Sequence, residues 1–220
     1  MSSQETKDTI LDAAEALFAE QGYAATSLRQ LTAEAGVNLA AVHYHFGSKE
    51  DLARAVLSRR IAPINQERLR RLDAIPARRR TLAAIVRAFV EPPLRSSAAA
   101  GDDPGGTPGT KLCRVFGRVS VEQPPFLRSF LAQQFRTVGR RFEAALTEVL
   151  PGHGAASLWW RLHFVVGAMA HTLQNAAALT HLTKGLCDAD DVDALIEHLV
   201  AFAVGGLRAA PVATTTRQRA

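Results

Sequence analysis

Three glycines, Gly22, Gly36 and Gly47, each end a run in which apolar residues recur three and four positions apart. That spacing is one face of an α-helix, and a glycine just past the last apolar position can take the positive φ that stops it. From Thr6, the set Ile10, Leu11, Ala14, Leu17 and Phe18 marks a first amphipathic helix that reaches Gly22. Thr26 and Ser27 offer a hydroxyl N-cap to a second helix, Leu28 to Ala35. Asn38 caps a third, Leu39 to Phe46, and Ser48 opens a fourth with Asp51 at the N3 place of a capping box.

Helical spacing continues along the chain. The fourth helix is expected to run to about Asp73, kinked or divided at Pro63. A helix over Ala77 to Glu91 is expected to break at Pro92 and Pro93, and Ser96 to Thr110 reads as a mobile loop rich in breakers. Further helices are expected over Lys111 to Val121, Pro125 to Leu150, Ala155 to Thr180 and Asp190 to Leu207. No strand alternation occurs, so the fold class is all-α. It comprises a three-helix helix-turn-helix unit over residues 1–50, a helical bundle over 51–210 for effector binding and dimerisation, and a flexible tail over 211–220. The fourth helix, from about residue 48, links the two units.

Composition removes several classes. With 220 residues, 47% hydrophobic and 21% charged, the chain can bury a core and is neither a low-complexity tract nor a disulfide miniprotein. The opening MSSQETKDTI lacks a basic stretch followed by an apolar one, so a cytoplasmic protein is expected. Leu158 to Leu179 has the length of a membrane span but carries Arg161, His163, His171, Gln174 and Asn175, which favours a buried or partner-facing helix. Cys113 and Cys187 stand apart from any metal-ligand pattern and read as reduced, packed thiols. The histidines lack HExxH spacing, and GGTPGTK misses a phosphate loop because Thr110 separates Gly109 from Lys111. No enzyme, cofactor or metal is expected.

The net charge of +5 is compatible with a polyanionic partner, but residues 1–60 are slightly acidic, so DNA binding must rest on placed residues. Thr26 to Phe46 has helix-turn-helix spacing around Ala35-Gly36-Val37. Leu31, Ala35, Val37, Val42 and Phe46 would lock the pair onto Leu17 and Phe18. With Val42 and Phe46 inward, Ala40, Ala41 and Tyr44 face outward and Leu39 and His43 flank them. Such a small, apolar face suits close approach and thymine-methyl contact in a major groove. Arg29 can reach a guanine edge or a phosphate, Thr26 and Ser27 add hydroxyls and helix N-terminal amides, and Lys49 could clamp the backbone. Singly, Thr26, Ser27 and Asn38 are better read as caps and Lys49 as a solvated lysine; their joint arrangement around one outward helix reverses that judgement in favour of DNA contact.

The run TSLRQLTAEAGVNLAAVHYHFGSKEDL closely resembles the DNA-binding signature of the TetR family of bacterial transcriptional regulators. The resemblance covers about residues 6 to 60. It implies DNA-facing or phosphate-facing positions for Arg29, Ala40, Ala41, His43, Tyr44, His45 and Lys49; Asn38 and Leu39 complete the recognition segment. One position departs: His43 stands where the family has a tyrosine, so imidazole must replace a phenol at a phosphate. VNLAAVHYHFGSK with LWWRLHFVVGAMAHTL further on resembles the PsrA-type regulators of fatty-acid metabolism, which implies a long-chain fatty acid or acyl-CoA effector.

In the C-terminal bundle, Phe89, Phe116, Phe126, Phe130, Phe135, Trp159 and Phe164, interspersed with Arg118, Gln134, Arg161 and His163, would either form an aromatic core or line a pocket for an apolar effector. Arg68, Arg70, Arg71, Arg78, Arg79 and Arg80 read as a solvated helix-and-turn surface. The last two long helices, apolar around much of their circumference and carrying Gly167, Ala168, Ala170, Gly205 and Gly206, are expected to form a homodimer interface. The partners expected are thus a double-stranded DNA operator, a second copy and a small apolar ligand, with no membrane. The other class open to such a chain is a helical lipid-binding or protein-interaction module without specific DNA binding.

Overall fold

The computed structural model describes residues 2–99 and 111–210. Among them the chain is helical throughout: α1 (Ser3–Gln21), α2 (Leu28–Ala35), α3 (Leu39–Phe46), α4 (Lys49–Asp73), α5 (Leu82–Ala99), α6 (Lys111–Glu122), α7 (Pro125–Val149), α8 (Ala155–Leu182) and α9 (Val192–Arg208), with a 3-10 turn at Ala77–Arg79. Most of the segment expected to be a loop, and all of the expected tail, lie outside the described residues; Ser96 to Ala99 close α5 instead. No described helix is long and apolar enough to cross a membrane, and no described cluster of His, Cys, Asp or Glu could hold a metal ion.

The helices meet around two cores. The first gathers Ile10, Ala14, Phe18, Leu31, Val42 and Leu52 and extends to Val115 and Val119 of α6 and Phe126 and Phe130 of α7. The second joins α5, α7, α8 and α9 through Ile85, Phe142, Leu158, Ile196 and Leu207. Ion pairs bind α1 to α4: Arg59 reaches Asp12 at 2.8 Å and also Glu15, and Arg60 Nε meets the buried Glu15 carboxylate at 2.8 Å.

The expected break at Pro92 and Pro93 does not occur, and neither does a division of α4 at Pro63. Helix α4 runs undivided through Pro63, which sits exposed between the buried Ile61 and Asn65, so water can serve the carbonyl that its missing N–H leaves free. Helix α5 begins only at Leu82, where the Thr81 hydroxyl accepts from Ala84 N at 3.2 Å, and continues through the buried Pro92 and Pro93. Pro93 cannot donate to the Phe89 carbonyl four residues back. Arg68 Nε of α4 donates to that carbonyl instead, at 2.8 Å, and replaces the lost bond.

Candidate DNA interface and effector cavity

The helix-turn-helix is held by local bonds that the sequence prescribes. Ser27 and Gln30 form a full capping box at the start of α2. Gly36 ends the helix in the left-handed region (φ 62°, ψ 31°), and the Val37 N–H returns to the Thr32 carbonyl at 3.0 Å. The Asn38 side chain accepts from Ala41 N at 2.8 Å and starts α3. At Ser48 the box is half formed, because the Asp51 carboxylate takes the Ser48 hydroxyl (2.6 Å) rather than its backbone N–H.

Helix α3 buries Val42 and leaves Ala40, His43 and Tyr44 exposed, with Tyr44 at 82%. Leu39 is exposed, and Ala41 and His45 are half-buried. Arg29 is exposed beside this face and makes no ion pair among the described residues, whereas Arg54, Arg59 and Arg60 are all engaged with carboxylates. The His43 Nδ1 lies 2.8 Å from the Gly47 carbonyl and donates to it, which orients the ring and leaves Nε2 outward.

Two residues are placed otherwise than expected. Thr26 is buried and its hydroxyl donates to the Gly22 carbonyl at 2.7 Å, so it closes the α1–α2 turn and offers nothing to a phosphate. Lys49 is no freely solvated lysine: its Nζ sits 4.4 Å from the Tyr23 ring centroid and 3.5 Å from the Ala24 carbonyl. Burial pulls its pKa down, against an opposing pull from Glu122.

Glu122, at the end of α6, is a residue the sequence reading missed. Its carboxylate accepts from the Ala24 N–H at 2.8 Å and fills the space where a side chain on Gly22 would stand. Gly22 has φ 91° and ψ 169°, a region open essentially to glycine alone. The second half of the chain thereby grips the turn that precedes α2.

Among α4, α5, α7 and α8 lies a cavity of about 370 Å³, walled largely by apolar side chains such as Ile64, Leu131, Phe135 and Val138. Phe89, Trp159 and His163 line it as expected. The other pocket expectations need correction. Phe130 is buried in the first core, Arg118 is exposed and off the wall, and Phe164 points outward, 62% exposed. Gln134 bridges helices: its carbonyl accepts from Asn65 Nδ2 at 3.0 Å and its amide donates to Ser58 at 3.3 Å. Phe116 has its side chain outside the described set. Arg161 caps the end of α9, donating to the carbonyls of Gly206, Leu207 (3.3 Å) and Ala210 (2.9 Å). Cys187 is exposed rather than packed.

The arginine run is also not a uniform solvated surface. Arg70 and Arg71 share Glu67, whose carboxyl their hydrogen bonds hold at about 2, and Arg80 pairs with Glu148 at 2.7 Å. Arg68 is 3% exposed and lines the cavity.

Comparison with known proteins agrees with this geometry. Residues 10–56 match the family model described as bacterial regulatory proteins, tetR family, and residues 87–206 match the tetracyclin repressor-like, C-terminal domain. The HTH-type transcriptional regulator AcrR of Shigella flexneri is 46% identical over 50 residues, which is 23% of this chain and 23% of that protein. The match thus spans under a quarter of that relative's length. The fatty acid degradation regulator FadR of Bacillus halodurans superposes with a TM-score of 0.68 at 17% identity, covering 92% of this chain and 96% of the other. FadR of Bacillus subtilis, solved in complex with stearoyl-CoA, gives 0.67 at 16% identity over 90% and 98%. The second family model alone takes in more than half of the sequence, and the chain belongs to the TetR family of transcriptional regulators, with the family's helix-turn-helix ahead of a tetracyclin repressor-like C-terminal domain.

Proposed function

We propose that the protein is a cytoplasmic repressor that binds a near-palindromic operator as a homodimer and is released by a small acyl amphiphile. The observation that carries the DNA part is the outward face of α3, small and apolar at Ala40 with Ala41 half-buried behind it, beside Arg29, which makes no ion pair among the described residues, and with His43 and Tyr44 exposed. Such a face fits a major groove, where Arg29 meets a guanine or a phosphate and His43 meets a phosphate. Ser27, Asn38 and Leu39 border it, with His45 and Lys49 behind. Residues 1–50 act as the DNA-binding unit and 51–210 as the effector and dimerisation unit.

The dimer reading rests on α8 and α9, which expose Trp160, Phe164 and Phe202 at 64%, 62% and 66%. Trp160 and Phe164 stack with centroids 6.0 Å apart, a patch that a second copy would cover. The effector reading rests on the cavity; the PsrA-type resemblance and the stearoyl-CoA complex of a structural neighbour favour an acyl ligand.

Selection of genomic fragments by the purified protein, followed by titration of the selected complex with a chain-length series of fatty acids and acyl-CoAs, tests the reading. A near-palindrome with half-sites about one helical turn apart, an affinity that falls steeply with salt, and release by the acyl series are expected. Retention without sequence preference would return the chain to the class of helical interaction modules. Phe202→Glu should give a folded monomer by sedimentation with weakened operator binding, and a dimer unaffected by that change would remove α9 from the interface.

A further inference from the structure

Arg68, on α4, is the one buried arginine among the described residues, and no carboxylate among them lies within ion-pair distance of it. Its neighbours in sequence, Arg70 and Arg71, both have glutamates. Three contacts hold the group: Nε donates to the Phe89 carbonyl at 2.8 Å, Nη1 to Asn65 Oδ1 at 3.1 Å, and Nη2 points to Met169 Sδ at 3.6 Å. The guanidinium carbon lies 4.3 Å from the Phe89 ring centroid. Asn65 is itself fixed by its bond to the Gln134 carbonyl. Arg68, Asn65, Phe89 and Met169 all face the cavity.

Replacing the N–H that Pro93 lacks explains one donor, and any neutral N–H would serve as well. It does not explain a charge. A guanidinium carries five N–H donors, so the Nη atoms keep hydrogens beyond those already engaged. Burial alone pushes the Arg68 pKa down to about 10, with no opposing carboxylate. A buried cation without a counter-charge is costly, and a fork of N–H groups at the wall of an apolar cavity is the geometry that recognises a planar anion.

We infer that Arg68 is the head-group site of the cavity and that the ligand is an apolar carboxylic acid bound as its anion, not a thioester. A single positive charge matches a monoanion. A phosphate dianion would leave a net charge in an apolar enclosure, and a thioester carbonyl brings none. About 370 Å³ holds roughly a dozen methylene-sized groups at the ~30 Å³ of a water molecule, which points to a medium-length acid. Asn65 acts as a positioning residue, holding the fork toward the cavity. This inference rests on the effector reading above and narrows it from acyl compounds in general to free acids.

The test uses the full chain without DNA. Binding of decanoate, methyl decanoate, decanol and decanoyl-CoA is followed by calorimetry and by Trp159 fluorescence, in the wild type and in Arg68→Gln, which keeps an N–H for Phe89 but drops the charge. Wild-type protein should prefer decanoate over its methyl ester by at least tenfold. Arg68→Gln should abolish that preference while still binding decanol, and Arg68→Lys should retain part of it. Equal binding of acid and ester by the wild type, or an acid preference that survives Arg68→Gln, overturns the assignment. A parallel operator-release assay separates the two readings. Acid binding at Arg68 without change in DNA affinity keeps this site and removes the effector role; release by acid and ester with equal potency keeps the effector role and removes this site.

Discussion

Gly22→Ala probes the grip of α6 on the helix-turn-helix, and its cost can be worked from two independent contributions. The first is backbone conformation: φ 91° and ψ 169° is a region that side chains avoid, at about 1–3 kcal/mol. The second is Glu122, whose Oε1 would lie 2.0 Å from the new Cβ. That oxygen ends a flexible side chain and can move, so the clash itself costs little. Moving, however, removes the charge-assisted bond to Ala24 N–H; since both residues are exposed, its loss is about 1 kcal/mol rather than the larger value of a buried pair. Gly22→Ala should therefore destabilise by about 2–4 kcal/mol, and by about 1–3 kcal/mol when Glu122 is already alanine. At about 2–4 °C per kcal/mol for a chain of this size, the single change should lower Tm by roughly 4–16 °C. Urea unfolding of the wild type, both single variants and the double variant, followed by circular dichroism, gives the coupling directly. An identical penalty in both backgrounds would mean that the carboxylate is not seated on Gly22. A penalty below about 0.5 kcal/mol in both would mean that the turn does not have the glycine-only geometry.

Arg29→Ala should lose about 1–3 kcal/mol of operator affinity if the contact is a guanine edge, with relaxed preference at one base position in a binding-site selection; unchanged affinity and selectivity would take Arg29 off the interface. Gly139 lies so close to Trp159 that a Cβ there would stand 2.6 Å from the indole, so Gly139→Ala should keep helicity, shift tryptophan emission and weaken binding of the longest ligands first. An unaltered chain-length profile would argue against Trp159 as a cavity wall. Glu91 is subject to burial that raises its pKa, but its bonds to Arg95 (2.5 Å) and Arg71 (2.9 Å) outweigh this and hold it below the ordinary range. Its contribution is thus present above the unfolded carboxylate value of about 4.3 and is lost as pH falls through the folded value. Glu91→Gln should lower stability at pH 7 and flatten the loss of stability below about pH 4; an acid limb as steep as in the wild type would remove Glu91 as its source.

The elements that sequence made legible are those fixed by their own neighbours. Ser27 and Gln30, Gly36 and Asn38 act within four residues of where they stand, so the α2–α3 unit could be placed residue by residue. The fate of Pro93 was illegible for the opposite reason: the donor that rescues the helix comes from Arg68, which lies on another helix. Arg68 hid within a run of arginines that reads as solvated, yet it shares the face of Ile61, Asn65 and Leu72 at helical spacing, and that pattern was a signal for burial. Phe164 was misplaced because α8, apolar around most of its surface, does not declare which face turns inward, and packing left that ring to solvent; Phe130 was misplaced because α7 serves both cores and its first turns meet the first one, short of the cavity. Thr26 was ambiguous in the same way. A hydroxyl before a helix can cap, bind phosphate or close the preceding turn, and the nearby Gly22 carbonyl settled the matter.

Helices α4, α6 and α7 each run between the first core and the surroundings of the cavity, α7 with Phe126 and Phe130 at one end and Phe135 and Val138 at the cavity wall, and magnitudes separate the exposed contact among them from the buried ones. Helix α4 buries Leu52, Val56 and Leu57 in the first core and places Ile64, Asn65 and Arg68 on the cavity wall. Helix α6 buries Val115 and Val119 in the first core, brings Gly117 against the cavity-lining Gln174, and ends in the Glu122 contact with the α1–α2 turn. A ligand can change DNA affinity only by the difference in its own affinity for the two arrangements, and a hundredfold release requires about 2.8 kcal/mol. The exposed Glu122 bond, at about 1 kcal/mol, accounts for less than one tenfold step. Release beyond that draws on buried contacts, and movement of α4 would shift buried side chains on both sides at once: Arg68 and Asn65 at the wall, and Leu52 and Val56 in the first core with Val42 of the recognition helix. A charge that is unpaired without ligand and paired with it sits on that same helix, so the free energy of filling the Arg68 site is released where it can bear on the orientation of α3.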